Sequence, residues 1–263
     1  MLSKEEIKSQ IARMGINKND TVVIHTSLKK VGEIYGGADT LIDAFCEYLS
    51  DGLFLVPTHT WATVGPQNPV FDVRNTLPCI GALPRAAAAR EDGVRSLHPS
   101  HSIWAYGKNA AQYVEGEENV VTPTPPDGCW GKLAKHNAKI LLIGVRNDKN
   151  TFIHTIDEEI NLPDRVSEGF YTSTLIDKNG KEIKGEMHEV FCSRSPDVSV
   201  HFTNFEDALT YTGAQHFGTL GNAEVRIVDA ALCRKTILRI YEMAESPGDI
   251  CIADMEIPKE YYI

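Results

Sequence analysis

The stretch Lys139-Ile140-Leu141-Leu142-Ile143-Gly144-Val145, followed four residues later by Asn150-Thr151-Phe152-Ile153-His154-Thr155-Ile156-Asp157-Glu158, decides how this chain is read. The first run is strongly apolar and reads as a buried strand. A histidine just past such a strand stands where α/β proteins place their chemistry, at the carboxyl ends of the strands. Asp157 lies three residues after His154 and Glu158 four, so on a helix starting here both can face the imidazole. That makes His154 a candidate base and Asp157 and Glu158 its candidate orienting carboxylates. The plainer alternative is a helix N-terminus with acidic residues and an incidental histidine.

Two more apolar runs end in the same way. Asp20-Thr21-Val22-Val23-Ile24-His25 is a short buried strand closing on His25-Thr26-Ser27, and Leu53-Phe54-Leu55-Val56-Pro57 closes on Thr58-His59-Thr60. Strand ends from distant parts of a chain converge in α/β folds, so the three polar segments are expected to share one crevice. Each taken singly is equally a turn or a helix cap. Around them the pattern predicts a helix over 3–14 with a Ser3/Glu6 capping box, and a helix opened by Gly36-Gly37. Further helices are expected over 81–90, 131–136, 205–212 and 230–244. Residues 91–102, with Arg95, His98 and His101, read as an irregular loop, and 119–127 as a Pro/Thr-rich one. Tyr171 to Ile183 reads as a β-hairpin turning at Asn179-Gly180; Val198–Phe202 and Glu224–Val228 read as strands. The expected architecture is α/β: three layers, α/β/α, with a mixed sheet, mostly parallel in the N-terminal part and with antiparallel strands added later. Residues 1–263 are expected to form a single domain, with 166–202 a β-rich insertion.

Composition narrows the function classes. The 263 residues suffice for a sizeable core, and 42% hydrophobic with 24% charged residues is ordinary for a soluble globule. No apolar run is long enough to cross a bilayer, and the polar N-terminus does not resemble a signal peptide, which points to the cytoplasm. The six cysteines are scattered without a CxxC pair and are expected to be reduced. A net charge of −10 argues against nucleic-acid binding, which needs a basic footprint. It would favour a cationic small molecule, although mild acidity is also simply common.

The run from Phe71 to Ala110 adds a resemblance. Phe71-Asp72, Thr76, Gly81-Ala82-Leu83-Pro84, Arg95-Ser96, His98-Pro99-Ser100-His101-Ser102 and Gly107 to Ala110 follow one another as in the antibiotic N-acetyltransferase family, whose best-known members are the aminoglycoside 3-N-acetyltransferases. His25-Thr26-Ser27-Leu28 with Gly32, Pro57-Thr58, and Leu141 to Val145 with Asn150-Thr151 and His154 match in order. The resemblance is close over residues 1 to about 165 and weaker but collinear beyond.

The resemblance implies direct acetyl transfer from acetyl-CoA to an amine, the 3-amino group of an aminoglycoside being the first expectation. It places the family's catalytic histidine on His154. The partner acid falls on Asp157, where the family usually has Glu, and a second acid of some members on Glu158. The cofactor groove falls on His25, Thr26, Ser27, Lys29 and Lys30 and on the loop 122–132, which brings in Cys129 and Trp130. Thr58, His59, His98, His101 and Glu189 are the candidate acceptor-binding residues. Two departures stand out. Gly128-Cys129-Trp130-Gly131 replaces the usual Ser-Pro-aromatic-Gly, and Glu186 to Cys192 holds fewer acids than the drug-binding stretch of aminoglycoside enzymes. They leave open a non-aminoglycoside amine as acceptor, or a repurposed relative that binds CoA or a small amine without turnover. Cys129 as a thiol nucleophile and a zinc site at His25, His59, His98 and His101 are weaker alternatives, since no base flanks the thiol and no metal-typical spacing occurs. No metal is expected, nor a role for His136, His188, His201 or His216.

Overall fold

The computed structural model describes residues 1–263. Helix α1 (Lys4–Arg13) is closed by its capping box: the Ser3 hydroxyl accepts from the Glu6 amide at 3.3 Å, and the Glu6 carboxylate accepts from the Ser3 amide at 2.8 Å. There follow β1 (Thr21–Thr26), α2 (Leu28–Val31), α3 (Gly37–Tyr48), β2 (Leu53–Pro57), β3 (Val70–Asp72), α4 (Ala82–Ala88), β4 (Val94–Arg95), β5 (Ile103–Gly107) and α5 (Ala110–Val114). The second half holds α6 (Cys129–Lys135), β6 (Lys139–Ile143), α7 (Phe152–Glu159), β7 (Val166–Ile176), β8 (Glu182–Val190), α8 (Glu206–Tyr211), β9 (Gln215–Leu220), β10 (Ala223–Asp229) and α9 (Ala230–Met243). No helix is long and apolar enough to cross a membrane.

Seven strands form one sheet in the order β4-β5-β2-β1-β6-β10-β9. The three central strands are parallel, β1 pairing with β2 and with β6; every outer pair is antiparallel. The period of two sorts their side chains into two cores. Val23, Leu55, Ile140, Leu142 and Val228 face one side, packed by α5 to α9. Val22, Ile24, Phe54, Leu141 and Ile143 face the other, packed by α1, α3 and α4. Being buried on both faces is why these strands read as unbroken apolar runs. The three-layer mixed architecture is therefore as expected, with one addition: antiparallel strands also flank the β2 edge, through β4 and β5.

A second sheet of three strands, β3-β7-β8, stands apart. β7 and β8 form the expected hairpin. Asp177 Oδ1 accepts from the amides of Asn179 and Lys181, and Gly180 takes a φ of +83° that favours glycine. Two local expectations are overturned, and one edge strand lay outside the pattern. Residues 91–102 are not wholly irregular, since Val94–Arg95 pairs with β5. Residues 215–220 form an edge strand that the pattern did not show, because only Gln215 and Leu220 are buried along it. Val198–Phe205 is a 3₁₀ helix rather than a strand, started by the Asp197 carboxylate accepting from the Ser199 amide. Val198, Phe202 and Phe205 bury into the helical core, a spacing of three to four that suits a helix.

Candidate functional site

The carboxyl ends of β1, β2 and β6 open onto one cavity of about 610 Å³, within the range of ligand pockets. Each expected histidine-bearing segment contributes to it: His25 and Thr26 from β1, His59 beyond β2, and Asn150, Thr151 and His154 beyond β6. His101 and Ser100 enter from the turn before β5, and Glu189 from β8. Convergence of strand ends is thus what the structure shows, as the topological switch of an α/β sheet requires.

The floor is a packed group of rings. His59 lies 4.7 Å from His101 and 5.3 Å from Trp130 between ring centroids, and His25 lies 5.8 Å from Trp130. Burial pushes His25 down to about 3 and holds His59 and His101 well below the ordinary imidazole value. These rings are neutral at physiological pH. The Nε2 atoms of His25 and His59 and the Thr26 hydroxyl are buried without a partner at the cavity wall.

His154 sits in the first turns of α7, half-buried and edge-on to Phe202 at 4.8 Å. Burial lowers it to about 4, the charge of Asp197 opposes that shift, and Arg165 adds to it. Asp197, another wall residue of the cavity, is the carboxylate whose charge reaches His154, whereas Asp157, the expected partner, makes no hydrogen bond to the ring. Three positions on a helix are about 60° apart around the axis, enough to place His154 on the cavity side and Asp157 on the buried side. There Asp157 accepts from the Tyr241 hydroxyl at 2.6 Å and lies 3.3 Å from the Arg165 guanidinium. Burial raises its carboxyl to about 6, with Tyr241 and Arg165 working against that.

Other expected residues take structural places. Glu158 turns from the cavity and accepts from the amide and hydroxyl of Thr124, at 2.7 and 2.8 Å, pinning the loop before α6; burial pushes its carboxyl up. Thr58 is fully buried, its hydroxyl 2.8 Å from that of Ser102 and taking a bond from Arg95. Arg95 also donates to the Thr76 and Thr58 carbonyls, at 2.7 and 3.0 Å, and stacks over Phe71, which accounts for several matched sequence positions at once. His98 is fully buried; its Nδ1 accepts from the amides of Ser100 and His101 and its Nε2 donates to the Thr122 carbonyl. Cys129 and Trp130 are buried and do not line the cavity. The Cys129 amide donates to Glu117 at 2.6 Å, and burial pushes the thiol far above its usual range, so it is not a nucleophile. Trp130 donates to the His101 carbonyl at 3.0 Å and so holds the histidine floor. Ser27 caps α2 without lining the cavity, and Lys29 and Lys30 are exposed on that helix beside it. No three His, Cys, Asp or Glu side chains converge as a metal set.

Sequence reasoning missed Trp61, Tyr171, His188, Phe191 and Asp197, all of which line the cavity. They come from loops and from the hairpin, whose periodicity carries no sign of what they face. Chemically the cavity combines a neutral imidazole, carboxylates on the same wall and at its mouth, and an unpartnered hydroxyl at a strand end. That arrangement suits proton removal from a cationic nucleophile.

Comparison with known proteins points the same way. The profile of the family described as aminoglycoside 3-N-acetyltransferase matches residues 23–241. Aminoglycoside N(3)-acetyltransferase VII of Streptomyces paromomycinus is 22% identical over 87% of this chain and 88% of its own length. The structure of AAC-VIa bound to sisomicin superposes with a TM-score of 0.73 at 26% identity, covering 89% of this chain and 95% of that one. That of AAC-IIIb in a binary complex with CoASH gives 0.76 at 20% identity, over 89% and 94%.

Proposed function

Since the chain belongs to the aminoglycoside 3-N-acetyltransferase family, we propose that it transfers an acetyl group from acetyl-CoA to an amine directly, with His154 as general base. The amino group of an aminoglycoside, and hence antibiotic resistance, is the acceptor class that kinship suggests. The observation that supports the mechanism is that His154 lines the cavity as a neutral ring, with Asp197 on the same wall.

An amine is mostly protonated near neutrality and must lose a proton to attack. A base at about 4 is unprotonated and ready, and the negative charge of Asp197 stabilises the imidazolium as it forms. Such help contributes about 10²–10⁴ in rate. Acetyl-CoA supplies the activated acyl group: the new bond joins the amine nitrogen to the acyl carbon, and the carbon–sulfur bond breaks to release the CoA thiol. Attack builds negative charge on the carbonyl oxygen, and Thr26, which lines the cavity at the end of β1, is the candidate donor to it. Lys29 and Lys30, exposed next to the β1 end, are the cations available to the CoA phosphates.

Free-thiol release from acetyl-CoA, measured with and without an amine, tests this. Thiol should appear only with amine present, and His154→Ala should lower the rate about 10²–10⁴-fold while the thermal midpoint and CoA binding hold. CoA binding with no turnover on any amine would instead make this a binding relative.

A further inference from the structure

Resting on the acetyl-transfer reading, we infer that the acceptor is a ring-bearing amine of low charge, seated between Trp61 and Phe191 at the mouth of the cavity. Two observations meet there. Large apolar side chains stay exposed on its lip: Trp61 at 55%, Phe191 at 47% and Val190 at 37%. Exposed apolar groups gathered at one opening mark a binding surface. The lip is also narrow, because a β-carbon added to Gly65 would lie 3.6 Å from Glu189 Oε1, so the 61–68 loop and the β8 end approach each other across it.

The second observation is charge. Three carboxylates line the cavity, and Asp148 already has Lys149 at 3.0 Å. Glu189 has no side-chain partner. Asp197 has only the amide and hydroxyl of Ser199, both on Oδ1. Asp197 serves the reacting amine through His154, which leaves Glu189 to neutralise one further ammonium group. A polycationic aminosugar would leave its remaining ammonium groups with no carboxylate to meet and the apolar faces of Trp61, Phe191 and Val190 uncovered. One or two amines on a scaffold with an apolar ring face satisfy both halves of the mouth: the ring stacks on Trp61 or Phe191, and a second ammonium meets Glu189.

The test uses the full chain with acetyl-CoA and thiol release, and four acceptors: 1,4-bis(aminomethyl)benzene, its cyclohexane analogue, 2-deoxystreptamine and neamine. The two apolar-ring diamines should exceed neamine in kcat/KM by about tenfold or more, the size of one lost stacking contact or ion pair. 2-Deoxystreptamine, equal in charge but without an apolar face, should fall below them. Trp61→Ala should raise the KM of the aromatic diamine about tenfold and leave that of acetyl-CoA unchanged, with Trp61→Phe recovering most of the loss. Trp61 lies on an exposed loop, so folding is preserved and checked by the thermal midpoint. Preference for neamine, or a Trp61→Ala effect on acetyl-CoA rather than on the acceptor, overturns the inference while leaving acetyl transfer standing. Absence of thiol release with all four overturns both.

Discussion

The histidine floor should make this protein acid-labile above the pH at which ordinary carboxylates titrate. Four imidazoles are buried: His25, His59, His98 and His101, none more than 8% exposed. Burial lowers His25 to about 3 and His98 to about 4, and His59 and His101 well below 6.5. A depressed imidazole means that the unfolded chain binds more protons, so stability is present above pH 6.5 and is lost as pH falls below it. At pH 5.5 four unfolded imidazoles hold roughly 3.6 protons, and buried rings held well below the ordinary value take up few of them. Two buried carboxyls act in the opposite sense. Burial raises Glu117 to about 7 and Asp157 to about 6, so the folded state holds roughly 1.6 extra protons there at the same pH. With His154, lowered to about 4, adding roughly 0.9 proton to the unfolded side, the balance is about three protons, or ~4 kcal/mol per pH unit and ~6 kcal/mol summed from pH 7 to pH 5. That is a large share of a typical stability of ~5–15 kcal/mol. Urea titrations at pH 7, 6 and 5 measure it, with m-values compared to confirm that the same surface unfolds. A midpoint that stays level or rises between pH 7 and 5 would refute the reasoning, since the buried rings would then have to bind protons in the folded state.

Three further outcomes follow from named contacts. Asp157→Asn removes the counter-charge of buried Arg165 and should cost about 3–5 kcal/mol, measured by urea melts, while the folded enzyme loses less than tenfold in kcat/KM; a hundredfold loss would return Asp157 to the role of orienting acid. Gly131→Ala would place a β-carbon 2.1 Å from the Pro126 carbonyl oxygen and should destabilise by about 1–3 kcal/mol through displacement of the loop before α6, visible in scanning calorimetry. Ser3→Ala opens the α1 capping box and should cost about 0.5–2 kcal/mol in the same melts, with acetyl-transfer kinetics unaltered.

Much of the frame was legible in the chain itself. β1, β2 and β6 are covered on both faces, so they carry unbroken apolar runs, Val22–Ile24, Leu53–Val56 and Ile140–Ile143, that cannot be mistaken for surface. The Ser3/Glu6 box and the Asn179-Gly180 turn were equally plain, because the contacts that make them lie within a few residues. The same holds for His154: a polar residue just past a buried strand has few places to go except the crevice at its end. What eluded the pattern was long-range. β9 and the two-residue β4 are weakly marked because they sit at the sheet's edges, with little to bury.

The partners of His154 belong to that second kind. Helical spacing allowed Asp157 and Glu158 to face the ring, but spacing limits only direction. Packing chose otherwise, since a carboxylate on the buried side of α7 needs a donor, and Tyr241 and Arg165, far along the chain, supply it. Asp197 reached the cavity through the turn that starts a 3₁₀ helix, and Trp61 and Phe191 reached it on loops. Strands, caps and the position of His154 were written locally. The carboxylates that share its cavity and the shape of the mouth depend on which distant segments the fold brings together, a quantity that no local period encodes.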